Sequence, residues 1–300
     1  MQIMSFHSLN EIITAAAEQK KPFFRIVMED DMSERMVSEE ETFSAMRHMY
    51  DTMGRADESY DGTLKSASGL VGTDGQKLEE ALKAGNTISG SFMSQVMIRA
   101  LKMGESNACM KRIVAAPTAG SCGVMPAVFL TYQDCFGVSG EKMTEAMFTA
   151  AGIGTVIAER AFIAGATGGC QAEIGSASAM AAGGLAYLMG GGEQEIIHAA
   201  AIALKNLLGL VCDPVAGLVE VPCVKRNVIG AVNAVTSADM AMAGITSRIP
   251  PDEVIDAMRT IGMALPCSLK ETGEGGLAAT PTGLKVMEEL VKPERDRNRQ

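Results

Sequence analysis

The chain has 300 residues, 47% hydrophobic and 21% charged, a balance suited to a globular fold with a sizeable core. With 26 basic against 36 acidic residues its net charge is −10, the wrong sign for a protein that neutralises phosphates, so nucleic acid is not an expected partner. Seven cysteines, an odd number, and no basic-then-apolar leader in MQIMSFHSLNEI predict reduced thiols in the cytoplasm rather than a disulfide framework.

Helical signals dominate along the chain. Ser8 and Glu11 form a capping-box pattern before Ile12, Ile13 and Ala16. Ser38 and Glu41 repeat it before Phe43, Met46, Met49/Tyr50 and Met53, which share one helix face. The polar segment 54–76 reads as a connection to the main body. Ala-rich runs at 143–163, 174–189, 193–208 and 229–245 predict closely packed helices. Pro251 opens another helix, with Asp252 and Glu253 in its first turn and Val254, Met258 and Ile261 on one face. Strand signals are confined to Phe23–Met28 and Val211–Val221, the second broken by Pro214. The basic end, KPERDRNRQ, reads as a frayed tail. The expected fold is all-α or nearly so. It is one helical domain over 1–300, with an N-terminal helical segment at 1–53 and a main body at 77–290.

The longest uncharged stretch, 174–192, has near membrane-spanning length but consists mostly of Gly, Ala and Ser. A tightly packed soluble helix is expected there, and no membrane association. With no Trp and 22 Met, small residues and flexible thioethers must fill the core.

The chemistry concentrates on Cys170, Cys212 and Cys223. Cys170 follows a glycine-rich break and heads a predicted helix, where the dipole favours a thiolate. Cys212 precedes Asp213-Pro214, expected to stop a helix ending near Leu210, and Cys223 follows Pro222 in an expected extended stretch. Three soft ligands from separate segments, with no matching fourth, suit an iron–sulfur cluster with one iron left open. Ordinary buried thiols are the plainer alternative. Structural zinc is a rival, although the short paired spacings it usually shows are absent. Cys109 and Cys135 read as filler near helices, and Cys267 as an ordinary thiol. Cys122, in APTAGSCGVMP, lies on a loop able to approach the site.

The segments APTAGSCGVMPAV, GCQAEIGSASAMAAGGLA and NLLGLVCDPVAGLVEVPCVKRN resemble the α chain of the iron–sulfur-dependent L-serine dehydratases, over essentially the whole chain. The resemblance implies a [4Fe–4S] cluster on Cys170, Cys212 and Cys223, a helical catalytic domain, and conversion of L-serine to pyruvate and ammonia. It implies no pyridoxal phosphate, and no lysine sits in a setting typical of that cofactor. In some relatives this part is fused to a regulatory α/β domain carrying an SHTxGP-type motif. That motif is absent here, where the histidines are His7, His48 and His198, so a separate β chain is the implied partner. Some fused relatives also end in a cysteine that occupies the open iron. The region LKETGEGGLAATPTG runs here into a Cys-free tail.

An open iron would act as a Lewis acid on the serine hydroxyl, and a base must take the α-proton. Glu173 and His198 are the candidates, each with a plainer role: a helix-start carboxylate and a core histidine. Lys225, Arg226 and Asn227 are candidate holders of the substrate carboxylate, or simply a solvated face. Ser66 and Ser68, in KSASGLVG, offer a possible carboxylate cradle. Related chemistry on L-threonine or L-cysteine, and a non-enzymatic iron–sulfur redox or sensor role, remain the alternatives.

Overall fold

A computed structural model describes the backbone of residues 6–297 and the side chains through Leu290. Its elements run α1 (Leu9–Gln19), α2 (Phe23–Arg35), α3 (Glu39–Glu58), α4 (Asp74–Lys83), α5 (Gly90–Ala108), α6 (Val124–Phe136) and α7 (Gly140–Arg160). There follow α8 (Gly165–Gly168), α9 (Cys170–Leu188), α10 (Glu193–Asn206), α11 (Cys223–Met242), α12 (Pro251–Ala264) and α13 (Pro281–Arg297). Short 3₁₀ turns lie at Val215–Gly217, Cys267–Leu269 and Gly276–Ala279. No strand occurs among the described residues; one isolated bridge pairs Cys212 with Lys270. The fold is therefore all-α, as the sequence predicts.

Helix α9 is the axis of the molecule. It packs against α6, α7, α8, α10, α11 and α12, and every residue from Cys170 to Tyr187 is buried except Glu173. Its Ala and Gly content is what permits this. A Cβ on Gly183 would lie 2.2 Å from Ile153 Cδ1, and one on Gly184 would lie 2.4 Å from Phe129 Cζ, far inside contact distance. The uncharged 174–192 stretch is thus mostly a core helix. No described helix is long and apolar enough to cross a membrane. Some polar groups inside the packing are paired across helices, while Ser176 Oγ on α9 and Ser237 Oγ on α11 are not. Asn233 on α11 donates to Ser178 Oγ on α9 at 2.9 Å and to Ala203 O on α10 at 2.8 Å, locking the three helices together.

The expected helix starts are found, with one local difference. At Ser38 both halves of the capping box form: Glu41 N donates to Ser38 Oγ at 3.2 Å and Ser38 N to Glu41 Oε2 at 2.9 Å. At Ser8 only the hydroxyl half forms, 3.1 Å from Glu11 N. The remaining free donors of α1, Leu9 N and Asn10 N, are taken at 2.8 and 3.1 Å by Asp252 in the first turn of α12.

Both strand expectations fail. Phe23–Met28 is the first half of α2, which opens after Pro22 and buries Phe23, Ile26 and Met28. Its β-branched and aromatic residues find no neighbouring strand, whereas the helical spacing seats them against α7. Val211–Val221 is loop and 3₁₀ turn. The expected connection at 54–76 starts later, because α3 continues through Glu58. The basic terminal segment is helical through Arg297 rather than frayed. Residues 298–300 lie outside the described residues, as does the Met1–Ser5 part of the N-terminal segment.

Candidate metal centre

The three cysteines are buried, free and brought to one place by three different devices. Cys170 is the first residue of α9, entered through Gly169 at φ 78°. A Cβ on Gly169 would lie 2.9 Å from Leu210 O and 2.7 Å from Leu265 Cδ1, so this entry requires glycine. Gln171 then fastens the helix start. Its N donates to Leu210 O at 2.9 Å, its Oε1 accepts from Gly209 N at 2.8 Å, and its Nε2 donates to Met258 O at 3.1 Å.

Cys212 sits on a connecting loop, because α10 ends at Asn206 rather than near Leu210. The loop is held by the C-terminal region: Cys212 N donates to Leu269 O and Glu271 N to Cys212 O, both at 2.8 Å. Cys223 is the first residue of α11, not part of an extended stretch. The cis Val221–Pro222 peptide leads directly into the helix. Two of the three thiols therefore stand at helix N-termini, where the dipole stabilises negative charge.

The thiols interact. A hydrogen bond from Cys212, assisted by the Arg226 charge, holds the Cys170 thiol below its ordinary value against the effect of burial. The same bond, burial and the nearby Cys170 and Cys223 push Cys212 up. Burial, then the charge of Cys170, pushes Cys223 up to about 12. Arg226 Nη1 lies 3.3 Å from Cys170 Sγ and 2.7 Å from Val211 O, while Nη2 donates to Asp213 Oδ1 at 2.8 Å. Asp213 Oδ2 accepts from Leu277 N at 2.8 Å. Arg226 thus braces the Cys170 sulfur and ties α11 to the Cys212 loop.

Glu173 borders this group from the first turn of α9. It accepts a hydrogen bond from Thr118 Oγ1. Burial raises its carboxyl above the usual range and the Glu271 charge adds to this, against the Thr118 bond. The 116–123 loop reaches the site as the sequence suggested. Asn227 pins it, donating from Nδ2 to Gly120 O at 2.7 Å and to Cys223 O at 3.0 Å, and accepting at Oδ1 from Gly123 N at 2.8 Å. Cys122 turns away toward α5, its thiol 3.7 Å from Met103 O.

The other candidates have partners outside the cysteine group. Lys225 pairs with Asp74 at 3.1 Å and is largely exposed. His198 accepts from Ser247 N at 3.4 Å, and the charges that act on it are Glu195 and Lys205, none from the cysteine group. Ser66 and Ser68 both donate to Glu220. Thr118, Asp213, Glu220 and Glu271 were not singled out from the sequence. Only Asp213, adjacent to Cys212, carried a signal that could have been used.

Among the described residues no three His, Cys, Asp or Glu side chains converge as the ligands of a single metal ion. A cluster makes a different demand, because each thiolate binds a separate iron. The donor chemistry meets it: three buried, unoxidised thiols on three segments, with soft sulfur throughout. Close approach is also provided. A Cβ on Gly165 would come 2.9 Å from Cys212 Sγ, so the chain beside that sulfur is kept bare.

The family model described as "Serine dehydratase alpha chain" matches residues 18–278. The chain is 45% identical to a probable L-serine dehydratase, alpha chain, of Bacillus subtilis (strain 168), over 95% of both proteins. It is 40% identical to the L-serine dehydratase, alpha chain, of Peptoniphilus asaccharolyticus, over 95% of this chain and 98% of that one. It is also 42% identical to L-serine dehydratase TdcG of Escherichia coli (strain K12), over 67% of this chain and 45% of that longer protein. By the extent of these matches, across the helical body and all three cysteine segments, the chain belongs to the serine dehydratase alpha-chain family.

Proposed function

We propose that this chain is the catalytic α chain of a cytoplasmic, iron–sulfur-dependent L-serine dehydratase that works with a separate β chain. The observation that carries the reading is the meeting of three buried free thiols beside one carboxylate and one guanidinium. Cys170, Cys212 and Cys223 would hold a [4Fe–4S] cluster. When bound, that group supplies Lewis acidity at the iron left without a protein thiolate. Naming of relatives as alpha chains supports the two-chain form.

The residues of the chain do the rest. Arg226 stabilises the Cys170 thiolate and is already committed to Asp213, so it orients the centre rather than binding substrate. Asn227 holds the 116–123 loop against the Cys223 turn and has no donor left for a substrate. Glu173 takes the α-proton of L-serine. Its raised affinity for a proton brings it nearer to neutrality, where general bases transfer protons best. Thr118 keeps one of its carboxylate oxygens in place. Packing around α9 keeps bulk water from this side of the site.

The test is anaerobic reconstitution with iron and sulfide, together with the β chain, followed by assay for pyruvate from L-serine, 2-oxobutyrate from L-threonine and sulfide from L-cysteine. Pyruvate is the expected main product. Serine replacements at Cys170, Cys212 or Cys223 should each lower iron per chain, whereas Cys135→Ser should not. An iron-loaded complex that releases no pyruvate refutes the proposal.

A further inference from the structure

Glu220 is 7% exposed and stands three residues before Cys223. Its Oε2 accepts from Ser66 Oγ at 2.8 Å and also from Ser68 Oγ. These serines belong to a turn that closes on itself. Ser66 N donates to Val71 O at 3.0 Å, Gly69 N to Ser66 O at 2.9 Å, and Leu70 N to Ser68 Oγ at 3.1 Å. Val71 at its end packs with Leu101 and Val224, the residue after Cys223. The carbonyl of Glu220 accepts from Val224 N at 3.0 Å, inside the turn that starts α11. One residue thus belongs to the Cys223 turn through its backbone and grips the serine turn through its side chain.

We propose that Glu220 is a positioning residue that latches the Ser66–Val71 turn beside Cys223, so that the turn forms one wall of the substrate site. The substrate assignment rests on the dehydratase reading above; the latch itself does not. The two hydroxyls are spent on Glu220 and do not bind substrate. The amides of Ala67 and Ser68 donate to no protein acceptor among the described residues. Successive free N–H groups in a turn receive anions well, and the α-carboxylate of an amino acid is the fitting ligand. Without the latch, the turn would spend most of its time out of register. Substrate affinity would fall while the reacting centre stayed intact.

The test uses the reconstituted two-chain enzyme and two independent readouts. Glu220→Ala should raise KM for L-serine by about tenfold or more and leave kcat within about threefold. Iron per chain should be unchanged. Amide hydrogen exchange across residues 64–72 should quicken by about tenfold or more in the same variant. Glu220→Gln, which keeps a carbonyl acceptor for the serines, should restore both properties and serves where Glu220→Ala folds poorly. Ser66→Ala/Ser68→Ala should reproduce the alanine phenotype, and combining it with Glu220→Ala should add nothing. An unchanged KM, an additive triple variant, or unchanged exchange in the turn overturns the latch. Should the wild-type enzyme release no pyruvate, the exchange measurement still decides it.

Discussion

Gly120→Ala tests the site most directly. A Cβ at this position would lie 2.5 Å from Glu173 Oε1, 2.7 Å from Cδ and 2.8 Å from Oε2. Ordinary contact begins near ~3.5 Å, so the carboxylate must retreat by roughly 1 Å or the loop must lift. If the carboxylate retreats, the bond from Thr118 is lost; hydrogen bonds to charged groups contribute about 1.5–3 kcal/mol. If the loop lifts, the 2.7 Å bond from Asn227 to Gly120 O is lost instead. Overpacking costs typically about 1–3 kcal/mol, and here the obstacle is the flexible end of a side chain, so the low end applies. For a chain of this size that is a fall in Tm of about 2–4 °C. Displacing a general base costs far more in rate, about 100-fold in kcat. Pyruvate release from L-serine gives the rate, thermal melting the stability, and iron assay the loading. Gly54→Ala is the control, since its Cβ meets only Leu130 Cδ2 at 3.9 Å. A folded, iron-loaded Gly120→Ala enzyme with wild-type kcat would show that Glu173 does not take the proton.

The neighbouring thiols of Cys170 and Cys212 predict that metal-free protein treated with diamide forms a Cys170–Cys212 disulfide, the diamide being reduced to the hydrazine. Peptide mass mapping should find this pair in preference to links with Cys135 or Cys267, and random pairing would contradict the site geometry. Asp30, outside the site, is raised to about 6 by burial, with Glu34, Glu159 and Asp31 adding to the shift. A carboxyl raised in the folded state contributes stability below its unfolded pKa, and that contribution is lost as pH rises through about 6. Asp30→Asn should therefore gain on the wild type between pH 5 and pH 8 in urea unfolding, by about 1 kcal/mol once the group's partial exposure is discounted. A gain that is constant across this range would contradict the assigned shift.

Much of this architecture was readable because helix-forming signals are local. Caps at Ser38 and Pro251, and alanine runs at helical spacing, need no tertiary context. Phe23–Met28 misled for the opposite reason: its β-branched and aromatic character is a preference that packing against α7 overrides. The cysteine trio was legible because three thiols lie in glycine- and proline-broken segments. The surrounding polar partners were not. Nothing in the spacing of Thr118 and Glu173, or of Ser66, Ser68 and Glu220, announces that residues 55 or about 150 positions apart share a hydrogen bond. Arg226 and Asn227 were singled out as candidate substrate holders, and the structure adds that their side chains hydrogen-bond to the protein's own framework.

The three thiols are anchored in materials of unequal stiffness. Cys170 opens a helix with almost no exposed face. Cys212 hangs on a loop secured by two backbone hydrogen bonds to the Leu269–Glu271 segment. That segment is loop and 3₁₀ turn rather than long packed helix. If the proposed cluster forms, its Cys212 hold is therefore the one carried by loop rather than by helix.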